Sequence, residues 1–468
     1  MKLPCIFLHS IMAKKQSVNS VILSLFRLAL PIIFGNVAYA LLGISDIVMA
    51  GMAGTSDLAG VSIGGSFFFP GLMFPIGMIT ALHPIVSRLR GAEKYYDIPY
   101  SHLCALLVCF AFGIFIMLIL LFLAHFVLNI ESDARMFEVS KGYITAIAFC
   151  VPIGAIFASM RAYCEAMGKT KVTLYFGLLA LCYNIPLNYV FIFGKFGMPA
   201  LGGIGCGVAT LISMLLSSLF IAIYIRCNKE LYLASFFVNK TRIKFKDLTA
   251  YLKLSLPLGL SSSVECFCFT VIALLLSPLG PISVSANSIA MSITTLIFNL
   301  PLSLGIASSI MTGYAIGKND LEQLKRVIKA AYRIAFISIA FGITILLSLR
   351  HELPALFTED AAVIKLSSTL LIFAACNQVC ENLQTIQAYL LRGFKDTKII
   401  FITTVLSFFL LAIPIGYINC YEYINTPFNG PKGFWVGIFS GLFFASILYR
   451  RRILYHWRQL KNNKAKIF

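Results

Sequence analysis

The chain has 468 residues, of which 59% are apolar and only 12% charged, and its mean hydropathy is +0.87. Soluble globular proteins carry about 25% charged residues, so this composition excludes a water-soluble domain. The net charge of +19 does not mark a nucleic-acid binder, because the placement of Lys and Arg explains it as membrane topology.

In chain order, residues 1–20 read as a cytoplasmic N-terminal segment. The apolar run at 3–12 (LPCIFLHSIM) is too short to span and has no small-residue cleavage site, and translation could start at Met12 instead of Met1. Twelve apolar stretches follow, with cores near 22–50, 60–86, 102–128, 142–164, 172–194, 204–225, 249–276, 284–312, 330–349, 362–391, 398–419 and 433–451. Each has roughly 18 or more residues, enough for a helix to cross the hydrocarbon. The fold class expected is therefore all-α integral membrane, with twelve transmembrane helices. With both termini in the cytoplasm, cytoplasmic segments and helix ends hold 32 of the 38 Lys and Arg. Only Arg135, Lys141, Lys195, Arg350, Lys365 and Lys432 fall outside, a strong positive-inside bias. The basic loop at 226–253, with Arg226, Lys229, Lys240, Arg242, Lys244 and Lys246, joins the halves on the cytoplasmic side.

The halves repeat. LALP at 28–31 matches LSLP at 254–257, an offset of 226 that also pairs Pro75 with Pro301, Ala81 with Ala307 and Gly91 with Gly317. Thr170-Lys171 resembles Thr397-Lys398, and Gly203 and Gly207 resemble Gly433 and Gly437. Six spans per half give both halves one orientation, related by a pseudo-two-fold along the membrane normal. The expected parts are a bundle at 21–227, a linker at 228–247, a second bundle at 248–455 and a basic cytoplasmic tail at 456–468.

Three of the nineteen acidic residues, Asp46, Glu265 and Glu381, lie inside apolar helices. A charge at mid-bilayer costs about 2.5–3.5 kcal/mol on insertion scales and usually marks an ion or substrate pathway. Asn36, Tyr39, Gly43 and Asp46 follow i, i+3, i+7, i+10 spacing and form a supporting polar face. Glu265 has Ser261 one turn away, and Glu381 is flanked by Asn377 and Gln384 at helical spacing. No Lys or Arg is expected at comparable depth, so these acids would bind a proton or a metal cation. Asn184 and Asn188, at i, i+4, offer amide oxygens to a hard cation or serve as interhelical glue. Pro31 lies roughly 22 Å along the helix from Asp46 and permits a kink, fixed or mobile. His83 reads as a satisfied or solvated side chain. Glu165 reads as an interfacial ion pair with Arg161 and Lys169. The thirteen cysteines have no metal or disulfide spacing and read as small buried hydrophobes. With no phosphate loop, zinc motif or nucleophile constellation, no cofactor and no enzymatic activity are expected.

The segment LALPIIFGNVAYALLGISDIVMAGMAG at 28–54 resembles the first-helix signature of the multidrug and toxic compound extrusion (MATE) family. YNIPLNYVFIFGKFGMPALGGIGCGVAT at 183–210 is similar to its fifth-to-sixth-helix segment, especially in the NorM-like branch, and LRGFKDTK at 391–398 is also family-like. The likeness runs from about residue 21 to 455. It implies a Na+- or H+-coupled antiporter of the bacterial inner membrane, exporting amphipathic, often cationic compounds by alternating access. It further implies a monomer, solvated by lipid, that binds no nucleic acid. In that resemblance Asp46 falls on the coupling-ion carboxylate of the first helix, with Asn184 and Asn188 on polar positions of the same site. Glu265 falls on the seventh-helix glutamate, and Glu381 on a tenth-helix acid that is usually Asp. Na+ would sit with Asp46, Asn184 and Asn188 or with Glu265 and Glu381. Asn188 stands where the DinF branch has Asp. The alternative is a lipid-linked saccharide flippase of the same superfamily, which would have a more cationic cavity. A channel or an intramembrane enzyme fits less well.

Overall fold

A computed structural model describes residues 17–127, 134–235, 243–423 and 427–462. The run at 3–12 with its alternative start, Lys240 and Arg242 of the linker, and the last six residues of the tail lie outside the described residues. Twelve helices are long and apolar enough to cross a membrane. They are α1 (Val18–Ala53), α2 (Thr55–Gly91), α3 (Tyr95–His125), α4 (Ala134–Ala166), α5 (Lys171–Phe193) and α6 (Gly203–Cys227), followed by α7 (Phe245–Leu279), α8 (Pro281–Gly317), α9 (Leu321–Ser348), α10 (Ala361–Gly393), α11 (Thr397–Cys420) and α12 (Pro431–Asn462). All twelve expected spans are present, and no strand occurs among the described residues. Backbone groups in hydrocarbon must be bonded within the segment, which is why the apolar runs are helical throughout. Carboxylates at helix starts do local work: Asp320 and Asp360 accept bonds from the first free N–H groups of α9 and α10.

The described residues form two compact units. The first is Leu30–Ser263, and the second is Val264–Phe468 together with the start of α1 up to Ala29. The division falls inside α1, beside Pro31, and inside α7, six residues after Pro257. Specific bonds hold the start of α7 in the first unit. The Tyr100 hydroxyl donates to Asp247 and accepts from the Lys244 N–H, and the Tyr251 hydroxyl donates to the Met78 carbonyl at 3.1 Å.

Glycine sets how closely α1, α5 and α6 approach in the first unit. A Cβ on Gly35 would stand 2.5 Å from the Thr173 carbonyl oxygen, and one on Gly205 2.6 Å from the Phe191 backbone. Only the missing side chains let these backbones touch. The repeat is looser here than in sequence: Gly203 and Gly207 face α4, whereas Gly433 and Gly437 face α11. The cysteines described are all free and mostly buried, consistent with their role as small apolar fillers.

In the second unit, Asp396 in the turn before α11 binds two groups of α12, Arg452 and His456, the latter at 2.6 Å. Burial pushes the Asp396 carboxyl upward, but hydrogen bonds from His456 and Arg452 outweigh it and hold it below the usual carboxylate value. A depressed native pKa stabilises the fold above the unfolded value of about 3.9. That stabilisation is lost as pH falls through the lower native value. Asp396→Asn should therefore lower the thermal midpoint at pH 7, and the gap to the parent should close in strongly acidic buffer. A gap that stays constant with pH would show that the pair does not stabilise the fold electrostatically.

Candidate ion and substrate sites

In the first unit Asp46 is buried and meets α5 and α6. Its Oδ1 accepts a bond from Asn188 Nδ2 at 2.6 Å and its Oδ2 accepts one from Thr210 Oγ1 at 2.9 Å. The same Asn188 nitrogen donates to Asn184 Oδ1 at 3.1 Å, and Asn184 Nδ2 donates to Ser213 Oγ at 3.3 Å. Asn184 and Asn188 are 1% and 0% exposed, and Asn188 Oδ1 is buried with no hydrogen-bond partner. No Lys, Arg or His pairs with Asp46 among the described residues. A buried carboxylate with hydrogen bonds but no counter-charge retains a large unmet demand for a cation. The orphan amide oxygen beside it is a further unsatisfied acceptor. Thr210 was not singled out by the sequence, where a lone Thr among Gly and Ala carries no signal.

Asn36 and Tyr39 lie on the same helix but serve a different cluster. Asn36 Oδ1 accepts from Arg161 Nη1 at 3.5 Å, and the Arg161 guanidinium stands 5.5 Å from the centre of the Tyr39 ring. Arg161 in turn lies 3.4 Å from Glu165. Glu165 is fully buried, and its carboxylate takes His83 Nε2 at 2.7 Å and Thr173 Oγ1 at 2.5 Å. Lys169, expected beside it, pairs with Glu230 instead at 2.8 Å. The expected pair with Arg161 is present and the one with Lys169 is not; α2 and α5 also close over this end of α4 and supply His83 and Thr173, which the position of Glu165 beside Arg161 could not reveal. His83 is satisfied, as one of its two alternative readings held. Its other nitrogen faces the Thr80 carbonyl at 3.3 Å.

In the second unit Glu265 and Glu381 remain partly accessible, unlike Asp46. Glu381 Oε2 accepts from Gln378 Nε2 at 2.8 Å. Behind it runs a relay: Asn382 Nδ2 donates to Gln378 Oε1 at 2.9 Å and Ser338 Oγ to Asn382 Oδ1 at 2.6 Å. Gln378 and Asn382 were missed, although both lie within one turn of Glu381. Glu265 and Glu381 lie within electrostatic range of each other. Glu265 is also within range of the Arg392 guanidinium, which is 9% exposed. No ion pair joins Glu265 to a Lys or Arg among the described residues. The Arg392 guanidinium stacks over the Tyr389 ring, 3.8 Å from its centre.

The flanking residues divide. Gln384 bonds with Tyr449 of α12 and with neighbouring Thr385. Asn377 turns away from Glu381 and donates to the Trp435 carbonyl at 3.3 Å. Ser261 donates to its own helix at the Pro257 carbonyl, 2.8 Å away. No group of three or more His, Cys, Asp or Glu suited to a metal occurs among the described residues, so any cation here would rest on one or two carboxylates and neutral oxygens.

Twelve membrane-length helices, with hydrogen-bonded acids inside each unit, define a polytopic membrane protein whose interior is built for charge. The MatE family profile matches it twice, over residues 31–190 and 257–418, beginning at the prolines Pro31 and Pro257 that anchor the internal repeat. The chain belongs to the MatE family. It is 35% identical over 444 residues to the multidrug resistance protein NorM of Photobacterium profundum, covering 95% of this chain and 97% of that one. It is 32% identical to the multidrug resistance protein MdtK of Edwardsiella ictaluri, over 94% and 96% of the two chains. Among solved structures, the eukaryotic MATE transporter AtDTX14 superposes with a TM-score of 0.87 at 18% identity, covering 96% of this chain and all of that one. The Vibrio cholerae MATE transporter VcmN, in its bent form, gives 0.80 at 17% identity over 94% and 98%.

Proposed function

We propose that this chain is a multidrug exporter, a Na+- or H+-coupled antiporter for amphipathic, often cationic compounds in the bacterial inner membrane. The relatives at about one-third identity carry the multidrug resistance part of that reading. The coupling part rests on one observation: Asp46 is buried, has no counter-charge among the described residues and stands against the unpartnered Asn188 Oδ1. A proton would neutralise the carboxylate. Na+ would instead take Asp46 and Asn184 oxygens, the Thr210 hydroxyl and, after the amide turns over, Asn188 Oδ1, the oxygen set a hard cation prefers.

Alternating access converts ion binding into export only if the two conformations differ in affinity for ion and drug. Glu265 and Glu381, being partly accessible, would offer negative charge to a cationic compound or a second place for the ion. Inward ion movement supplies about 2.3 kcal/mol per charge per 100 mV in addition to the ion gradient. A saccharide flippase is the weaker reading, because the acids inside the helices suit a cationic cargo.

The test is efflux of a cationic dye and of a fluoroquinolone from proteoliposomes under separately imposed Na+ and H+ gradients. Efflux that follows one ion gradient and is abolished by dissipating it is expected. Dye movement indifferent to both gradients would overturn the coupling.

A further inference from the structure

Residues 142–160 of α4 carry no charge, and they are bounded by Lys141 and Arg161. These two are twenty residues apart, about 30 Å along a helix, which matches the thickness of the hydrocarbon core. Lys141 therefore stands at one headgroup boundary and Arg161 at the other. From Lys141 a groove of about 670 Å³ runs into the membrane between α4 and α6 of the first unit. Its α4 wall carries Glu138, Lys141, Thr145 and Phe149, and its α6 wall Ile204, Val208 and Leu211. Each set follows helical spacing and so lines one face. Eight residues from Lys141 to Phe149 span about 12 Å, close to the depth of one leaflet, about half of a 30 Å core.

The chemistry changes along this length. Thr145 spends its hydroxyl hydrogen on the Lys141 carbonyl at 2.7 Å, so it adds no free donor to the wall. Toward mid-membrane the walls are Phe149, Val208 and Leu211. At the mouth, Arg135 pairs with Asp57 at 3.0 Å and with Glu138 at 3.3 Å. Lys141 has no ion pair among the described residues. Glu138 on the same wall is engaged by Arg135, so the Lys141 ammonium sits without an ion-pair partner at headgroup depth, above an apolar slot one leaflet deep. We propose that this groove is a phospholipid site: one acyl chain fills the slot and the lipid phosphate pairs with Lys141. The slot opens sideways to hydrocarbon, where lipid chains are the surrounding solvent.

The test uses the full-length protein in lipid nanodiscs containing phosphatidylglycerol with a diazirine on its palmitoyl chain. Photolabel is expected to concentrate on α4 around Thr145–Phe149 and on α6 around Val208–Leu211. Val208→Trp, or Thr145→Leu should the first variant fold poorly, fills the slot and should remove most of that label. Lys141→Gln should lower phosphatidylglycerol retained in native mass spectrometry by about fivefold, from about 1 kcal/mol per basic group near an anionic surface. Lys141→Arg should restore it. Label spread evenly over the helices, or unchanged by the groove-filling variants, would overturn the site. So would equal labelling by a diazirine fatty alcohol that lacks the phosphate. A fluoroquinolone that displaces the label at micromolar concentration would assign the groove to substrate instead, which also refutes the lipid assignment.

Discussion

Asp46→Asn should abolish ion-driven efflux while leaving the fold in place. The replacement amide keeps one oxygen for Asn188 and presents an NH2 to Thr210, whose hydroxyl can accept as well as donate. The hydrogen-bond pattern therefore survives, and only the charge is lost. Without it nothing at this position binds a proton, and Na+ keeps neutral oxygens alone. Efflux under an imposed ion gradient should fall at least tenfold, the equivalent of about 1.4 kcal/mol, with an unchanged thermal midpoint. Glu265→Gln should produce a loss of similar kind in the second unit. There the Arg392 charge is left without the carboxylate it acts on. Efflux at parental rates in both variants would end the coupling mechanism. Loss in only one would assign the ion to that unit.

Gly35→Ala should be as damaging for a different reason. The new methyl would stand 2.5 Å from the Thr173 carbonyl oxygen and 2.7 Å from its carbon, both backbone atoms that cannot swing aside. Overpacking of this kind costs about 1–3 kcal/mol, and relief requires α1 and α5 to separate. Separation opens the 2.6 Å bond between Asp46 and Asn188, so stability and ion coupling should fall together. Gly43, two turns further along the same helix, is the control, because nothing lies within 4 Å of a Cβ there. Gly43→Ala should be neutral or stabilising by up to about 1 kcal/mol, the helix preference of Ala over Gly. Thermal midpoints of the two variants in one detergent decide the matter. Similar midpoints would show that the approach of α1 to α5 is not tight.

Much of the architecture is legible in the sequence alone. Hydrocarbon thickness demands runs of about 20 apolar residues, and such runs are visible in any chain, so all twelve spans were found. The repeat was legible from Pro31 and Pro257, and the family profile begins at the same two residues. Asp46, Asn184 and Asn188 were marked separately as polar residues in apolar helices, and the structure brings them together. Their shared site needed the glycine contacts of α1, α5 and α6, which motif spacing alone does not encode.

The misreadings share a cause. Asn36 and Tyr39 share a helical face with Asp46, yet they serve the Arg161 and Glu165 cluster, about two to three turns away. Asn377 has helical spacing to Glu381 but binds Trp435 of α12. Periodicity fixes which residues share a face of one helix, not which neighbour that face meets. The pair of Glu165 with Arg161 is legible from their spacing on one helix, whereas its partners His83 and Thr173 come from other helices, α2 and α5.

Span number, the Lys and Arg bias, the twofold repeat and the oddity of Asp46, Glu265 and Glu381 are properties of the chain itself. They follow from length, hydropathy and the cost of charge in hydrocarbon, all of which are local. Which oxygens meet Asp46 and which neighbours meet Glu381 were decided only by packing. Those contacts join residues a hundred or more positions apart, or in the case of Glu381 choose among neighbours that spacing makes equivalent. Their distances depend on helix approaches that differ by the size of a single methyl group.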